Sequence, residues 1–72
     1  MAKPCAIRNN IRKLRAAAGE MTQQDLADRV GVTRQTIFAI EKEKYSPSLE
    51  VAFRIAREFG VGLDDVFSFN PD

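Results

Sequence analysis

Histidine is missing from this 72-residue chain, and cysteine occurs once, at Cys5. Without an imidazole there is no general base to activate Ser46, Ser48 or Ser68, and none stands beside the lone thiol. A single cysteine forms no internal disulfide and offers no cluster for zinc. The four glycines stand singly, so no glycine-rich phosphate loop is present. No apolar run approaches the roughly 20 residues of a membrane-spanning helix. The basic start MAKPCAIRNN also lacks the apolar centre of a secretion signal. Together these gaps predict a non-enzymatic, cytoplasmic domain with no cofactor, no metal and no membrane partner. The length suits one domain over 1–72, with 1–5 as a flexible start and 68–72 as a tail.

Net charge is +1, too small to argue for a polyanionic partner by itself. Its placement is uneven. Lys3, Arg8, Arg12, Lys13 and Arg15 precede residue 20 with no acid among them, whereas Glu58, Asp64, Asp65 and Asp72 follow Arg57 with no base among them. Such a separation orients a molecule in the field of a polyanion, but solvated helix faces produce the same pattern.

Periodicity predicts five short helices. Ile7, Ile11, Leu14 and Ala18 form one stripe of a first helix, with Arg8, Arg12 and Arg15 on its flank and Gly19 at its end. Thr22 caps a second helix, Asp25 completes a capping box, and Gly31 closes it. Thr33 caps a third, in which Ile37 and Ile40 face inward and Arg34, Gln35, Phe38, Ala39 and Lys42 spread outward. After the turn at Pro47, Ser48 caps a fourth helix from Leu49 to Phe59, whose apolar arc covers roughly 200°. Gly60 ends it, and Leu63 to Phe67 form a last short turn.

Only Gly31 and Val32 separate the second helix from the cap of the third, so the two must cross steeply as a helix-turn-helix. Ala27 is small where they approach, Gly31 suits a left-handed corner, and Val32 plugs it. From about Ile11 to Phe67, the strings IRKLRAAAG, TQQDLADRVGVTRQTIFAIEK and KYSPSLEVAFRIAREFGV followed by LDDVF resemble the helix-turn-helix regulators related to phage repressors and Cro proteins. The resemblance implies an all-α, compact five-helix DNA-binding domain. Its third helix would enter the major groove, as a homodimer on a two-fold double-stranded operator.

Within that frame the outward pair Arg34 and Gln35 has a purpose. Arginine bonds guanine O6 and N7, and glutamine bonds adenine N6 and N7, so both are expected to read bases. Ala39 matches another base-reading position of the family, where its methyl can touch only a thymine methyl. Gln23 matches the family glutamine that bonds a phosphate. Thr33, Lys42, Lys44 and Tyr45 are further phosphate candidates around the third helix. Arg15 and Glu41 match a structural arginine–glutamate bridge between the first and third helices. Phe38 lies between Arg34 and Lys42, where a thymine methyl, a sugar or a dimer partner would each fit. Two departures stand out: GEMTQ carries Glu20 as an extra residue, and EKEKY has Glu43 where the family often has glycine.

Excess apolar surface on so small a domain points to a two-fold interface. Val51 and Ile55 at one edge of the fourth helix, with Val61, Leu63, Val66, Phe67 and Phe69, are its expected members, the tail pairing as a short strand. The expected function is a sequence-specific, homodimeric transcriptional repressor, with no small-molecule effector because the length leaves no sensor domain. The rival reading is an antitoxin-like protein-interaction module on the same fold.

Overall fold

The computed structural model describes residues 6–69; the expected flexible start, with Lys3 and Cys5, and the end of the tail, with Asp72, lie outside them. In chain order the elements are β1 (Ile7–Asn9), α1 (Ile11–Ala17), α2 (Gln23–Val30), α3 (Arg34–Glu41), α4 (Leu49–Phe59), α5 (Leu63–Val66) and β2 (Phe67–Phe69). The architecture is therefore an all-helical domain with one small two-stranded sheet.

Three helices start where a hydroxyl satisfies the orphan amides of the first turn. Thr22 Oγ1 accepts from the Asp25 N–H at 2.9 Å, and Asp25 Oδ2 accepts from the Thr22 N–H at 3.2 Å, a reciprocal box. The Asp25 carboxyl is held below the usual carboxylate range, chiefly by that Thr22 backbone N–H, then by the Thr22 side chain, with a smaller pull from Arg29. Because the folded pKa is depressed, this cap's contribution is present above the ordinary pKa and is lost as pH falls through the folded value. Thr33 Oγ1 accepts from the Thr36 N–H at 3.2 Å, and Ser48 Oγ from the Val51 N–H at 3.2 Å. At the corner after α2, Gly31 takes φ 78°, and the Ala27 carbonyl accepts the N–H of Gly31 at 2.9 Å and of Val32 at 3.0 Å. A residue with a Cβ would be strained there.

The core is assembled from every helix: Ile11, Leu26, Ala27, Val30, Ile37, Ile40, Ile55, Ala56 and Val66 are enclosed, with Leu14, Val32 and Phe59 packed around them. Val32 plugs the corner as its position predicts.

The start of the chain corrects the expected first helix. Ile7 and Arg8 lie in β1, not in α1, and Ala18 is exposed instead of facing the core. β1 pairs antiparallel with β2, matching Ile7 with Phe69, Arg8 with Ser68 and Asn9 with Phe67. The short C-terminal strand therefore exists, but its partner is the start of its own chain. Asn9 makes the break: its Oδ1 accepts from the Ile11 N–H at 3.2 Å, so the helix begins only at Ile11.

Both departures from the family pattern carry left-handed backbone on a side chain with a Cβ, Glu20 at φ 58° and Glu43 at φ 62°. Glu43 recovers part of the cost through Arg8, whose Nη1 donates to its Oε1 at 2.7 Å. Glu20 follows Gly19, itself at φ 81°, and is exposed. Glu20→Gly is expected to stabilise the domain by roughly 0.5–1 kcal/mol, the left-handed penalty of an L-residue less the backbone entropy of glycine. Thermal unfolding checks this, since about 1 kcal/mol moves the midpoint of so small a domain by roughly 4–8 °C. A drop in the midpoint would show that Glu20 is needed where it stands.

Candidate nucleic-acid interface

The inward side of α3 is fixed by Ile37 and Ile40, both enclosed, which forces the opposite side to face outward. Arg34, Gln35, Phe38 and Lys42 are exposed on that side, and Ala39 is half-buried at its margin. No carboxylate pairs with Arg34 or Lys42 among the ion pairs of the described residues. Long hydrogen-bonding side chains thus project from the first turn of a rigidly seated helix, which is the geometry that base-edge readout requires.

The seat of α3 is also electrostatic. Arg15 of α1 grips Glu41 at the far end of α3 in bidentate fashion, Nε to Oε2 at 2.7 Å and Nη2 to Oε1 at 3.0 Å. Its Nη1 donates to the Met21 carbonyl at 2.8 Å, tying the irregular turn before α2 to the same point. Gln23 joins this network, donating from Nε2 to Glu41 Oε1 at 3.1 Å. An amide has a second hydrogen and an oxygen besides, so the Glu41 contact orients Gln23 without exhausting its hydrogen-bonding capacity.

Gln23 and Arg34 also line one open concavity of about 520 Å³, together with Arg12, Arg15, Thr22 and Gln24. Arg12 is exposed there with no carboxylate partner among the described ion pairs. In the sequence Arg12 shows only as one of the basic residues of the chain's start and of the flank of the first helix. It stands three residues before Arg15, which is held by Glu41 of α3 and by the Met21 carbonyl just before α2, and that spacing is the signal that Arg12 flanks the start of α2. Thr33 is exposed, with its hydroxyl oxygen committed to the cap and 3.0 Å from Thr36 Oγ1. Lys44 and Tyr45 lie exposed on the turn after α3.

Another contributor was hidden from sequence. Asn9 Nδ2 donates to the Ile40 carbonyl at 2.8 Å, satisfying the last turn of α3, while its Oδ1 starts α1. With Arg8 bound to Glu43, β1 clamps the C-terminal end of α3 and the turn that follows. Asn10 extends the clamp: its N–H donates to the Val66 carbonyl at 2.8 Å and its Nδ2 to the Asp65 carbonyl at 3.1 Å.

The expected interface residues divide. Ile55 and Val66 are 0% exposed inside this chain's own core, which removes them from any subunit contact. Val51, Val61, Leu63 and Phe67 are half-buried against that core, and Phe69 is 67% exposed. The wide arc of α4 explains the correction. Ala52, Ile55 and Ala56 form its inward centre, and the edge left uncovered is Leu49 and Phe53, 68% and 54% exposed. That edge is about one helical turn in length. Beside it Leu49, Ala52, Ile7, Pro47, Leu63 and Phe67 line an apolar groove of about 360 Å³.

Comparison with known proteins agrees with this geometry. A helix-turn-helix family model matches residues 11–66. An HTH-type transcriptional regulator of Methanocaldococcus jannaschii is 50% identical over 66 residues, covering 92% of this chain and 98% of the relative. One of Bacillus subtilis is 46% identical over 61 residues, covering 85% and 91%. The transcriptional repressor of cryptic phage CTXphi in Vibrio cholerae is 33% identical over 60 residues, covering 83% of this chain and 53% of the repressor. With α2 and α3 joined at the Gly31 corner inside the matched span, the chain belongs to the helix-turn-helix family of DNA-binding transcriptional regulators, a family without enzymatic activity.

Proposed function

We propose that the protein is a homodimeric repressor that occupies a two-fold operator, inserting α3 of each subunit into successive major grooves. The observation that carries this reading is the exposed pair Arg34 and Gln35 at the capped start of a helix whose other side is enclosed. Arg34 takes guanine, Gln35 takes adenine, and the Ala39 methyl lies against the groove floor at the margin. Gln23, Thr33, Lys42, Lys44 and Tyr45 hold phosphates on either side, joined by Arg12. These contacts set the register of α3 and carry no sequence preference of their own. The phage repressor among the relatives supports repression as the sign of control. No described helix is long and apolar enough to cross a membrane, consistent with work on cytoplasmic DNA.

The second subunit docks on the apolar face formed by Leu49, Phe53 and Phe69 with the adjoining groove, where an isolated chain leaves three large hydrophobic side chains in water. A two-fold axis through this face presents two copies of α3, for which half-sites about 34 Å apart are one helical turn of DNA.

Selection of bound sites from random duplex DNA tests the proposal, and a two-fold symmetric motif is the expected result. Arg34→Ala is then expected to cost about 1–3 kcal/mol at one base pair of each half-site and to relax preference there alone. Equal weakening on every sequence would reassign Arg34 to phosphate, and enrichment of no motif at low salt would overturn sequence-specific binding.

A further inference from the structure

Phe38 is an apolar ring in the middle of a polar, cationic surface. On α3 it stands four residues from Arg34 and four from Lys42, is 45% exposed, and has the Lys42 ammonium 5.7 Å from its ring centroid. We infer that Phe38 is a specificity-determining residue that recognises the C5-methyl group of a thymine, one or two base pairs from the pair read by Arg34. The inference rests on α3 entering the major groove.

Three observations converge on it. Cation–ring contact at this distance draws the aromatic side chain and the ammonium toward one another, which favours one placement of the ring over others. The same contact argues against a subunit interface as the ring's destination. Covering Phe38 with apolar protein would also strip water from Lys42, which has no carboxylate partner among the described ion pairs, and burying an unpaired ammonium is costly. Leu49, Phe53 and Phe69 lie on other elements, so the apolar face assigned to the second subunit is built without Phe38. In a DNA groove the requirements separate: phosphates at the margin receive the ammonium while the ring faces the groove floor.

Of the groups on that floor, only the thymine methyl suits an aromatic ring. Guanine O6 and N7, adenine N6 and N7 and cytosine N4 all lose hydrogen bonds to water if an apolar ring covers them, whereas a methyl gains by leaving water. The position follows from geometry. One turn along α3 is about 5.4 Å and a base-pair step about 3.4 Å, so Phe38 meets a neighbouring pair, not the one beneath Arg34.

The test uses the full chain and the selected operator. Each thymine is replaced in turn by deoxyuridine, which removes the methyl and leaves every hydrogen-bonding group in place. One thymine per half-site is expected to lose about fourfold in affinity on this change, the worth of one buried methyl, and about fifteenfold when both half-sites are altered. Phe38→Ala is expected to bind thymine and deoxyuridine operators equally while still preferring the base pair read by Arg34. Phe38→Leu, which keeps an apolar contact, should retain part of the difference. Methyl-independent binding at every thymine would overturn the inference while leaving DNA reading intact. So would a Phe38→Ala variant that keeps the full thymine preference, or one whose main change is loss of the dimer. Absence of any selected operator would overturn both the inference and the reading beneath it.

Discussion

Glu41→Ala is expected to leave most of the protein unfolded near room temperature. Arg15 and Glu41 are 14% and 9% exposed in their side chains and share two hydrogen bonds, so neither is bathed by water that could replace the other. Removing the carboxylate strands a guanidinium whose remaining protein acceptor is the Met21 carbonyl, and it releases Gln23 as well. Breaking such a pair from one side typically costs about 3–5 kcal/mol. A domain of this size has about that much stability in total. The exposed pair Arg29–Glu58, at 56% and 26%, provides the internal contrast. Glu58→Ala should cost under about 1 kcal/mol, because solvent already screens that contact. Urea unfolding followed by circular dichroism separates the cases. The double replacement Arg15→Met with Glu41→Leu fills the space without charge and should recover most of the lost stability. A Glu41→Ala variant within about 1 kcal/mol of the parent would show that the pair is effectively solvated.

Legibility of this fold in sequence follows the range of the interactions responsible. The bounds of α2, α3 and α4 could be read because each begins with a hydroxyl cap, Thr22, Thr33 or Ser48, and two of them end at a left-handed glycine, Gly31 or Gly60. These are contacts within a few residues. The strand β1 could not be read, because what makes it a strand lies at the other end of the chain, at Phe67 to Phe69. Ile7 and Ile11 stand four apart and imitate a helical stripe, and nothing local reveals that Asn9 interrupts it by turning to Ile11 and Ile40. The width of the apolar arc on α4 was also legible, but not which edge stays uncovered. That depends on where α2 and α5 pack against α4, enclosing Ile55 while leaving Leu49 and Phe53 uncovered. At the site, Arg34 and Gln35 stood out through chemistry unsuited to a core. Phe38 stood out as well, but sequence left a thymine methyl, a sugar and a dimer partner equally open to it, because the position of Lys42 over its ring is a feature of the folded chain.

The uncovered edge of α4 leads to the other large expected effect. Replacing both Leu49 and Phe53 by Asp should leave the fold intact but abolish the dimer. Both side chains are exposed, and an acid at position 49 sits in the first turn of α4, where the helix dipole favours negative charge. In the proposed dimer, four carboxylates would be brought together on an apolar face. Sedimentation at about 10 µM should then show a monomer where the proposed two-fold contact predicts a dimer for the parent. Affinity for the two-fold operator should fall by about 10²-fold or more, toward that for a single half-site, because the second recognition helix is no longer delivered by the first. Affinity for an isolated half-site should not change. Ile55→Asp gives the opposing outcome: a carboxylate at an enclosed position of the same helix unfolds the chain instead of dissociating it. Persistence of the dimer in the Leu49, Phe53 double variant would place the two-fold contact elsewhere. The exposed edge would then have to be assigned to a partner other than a second copy.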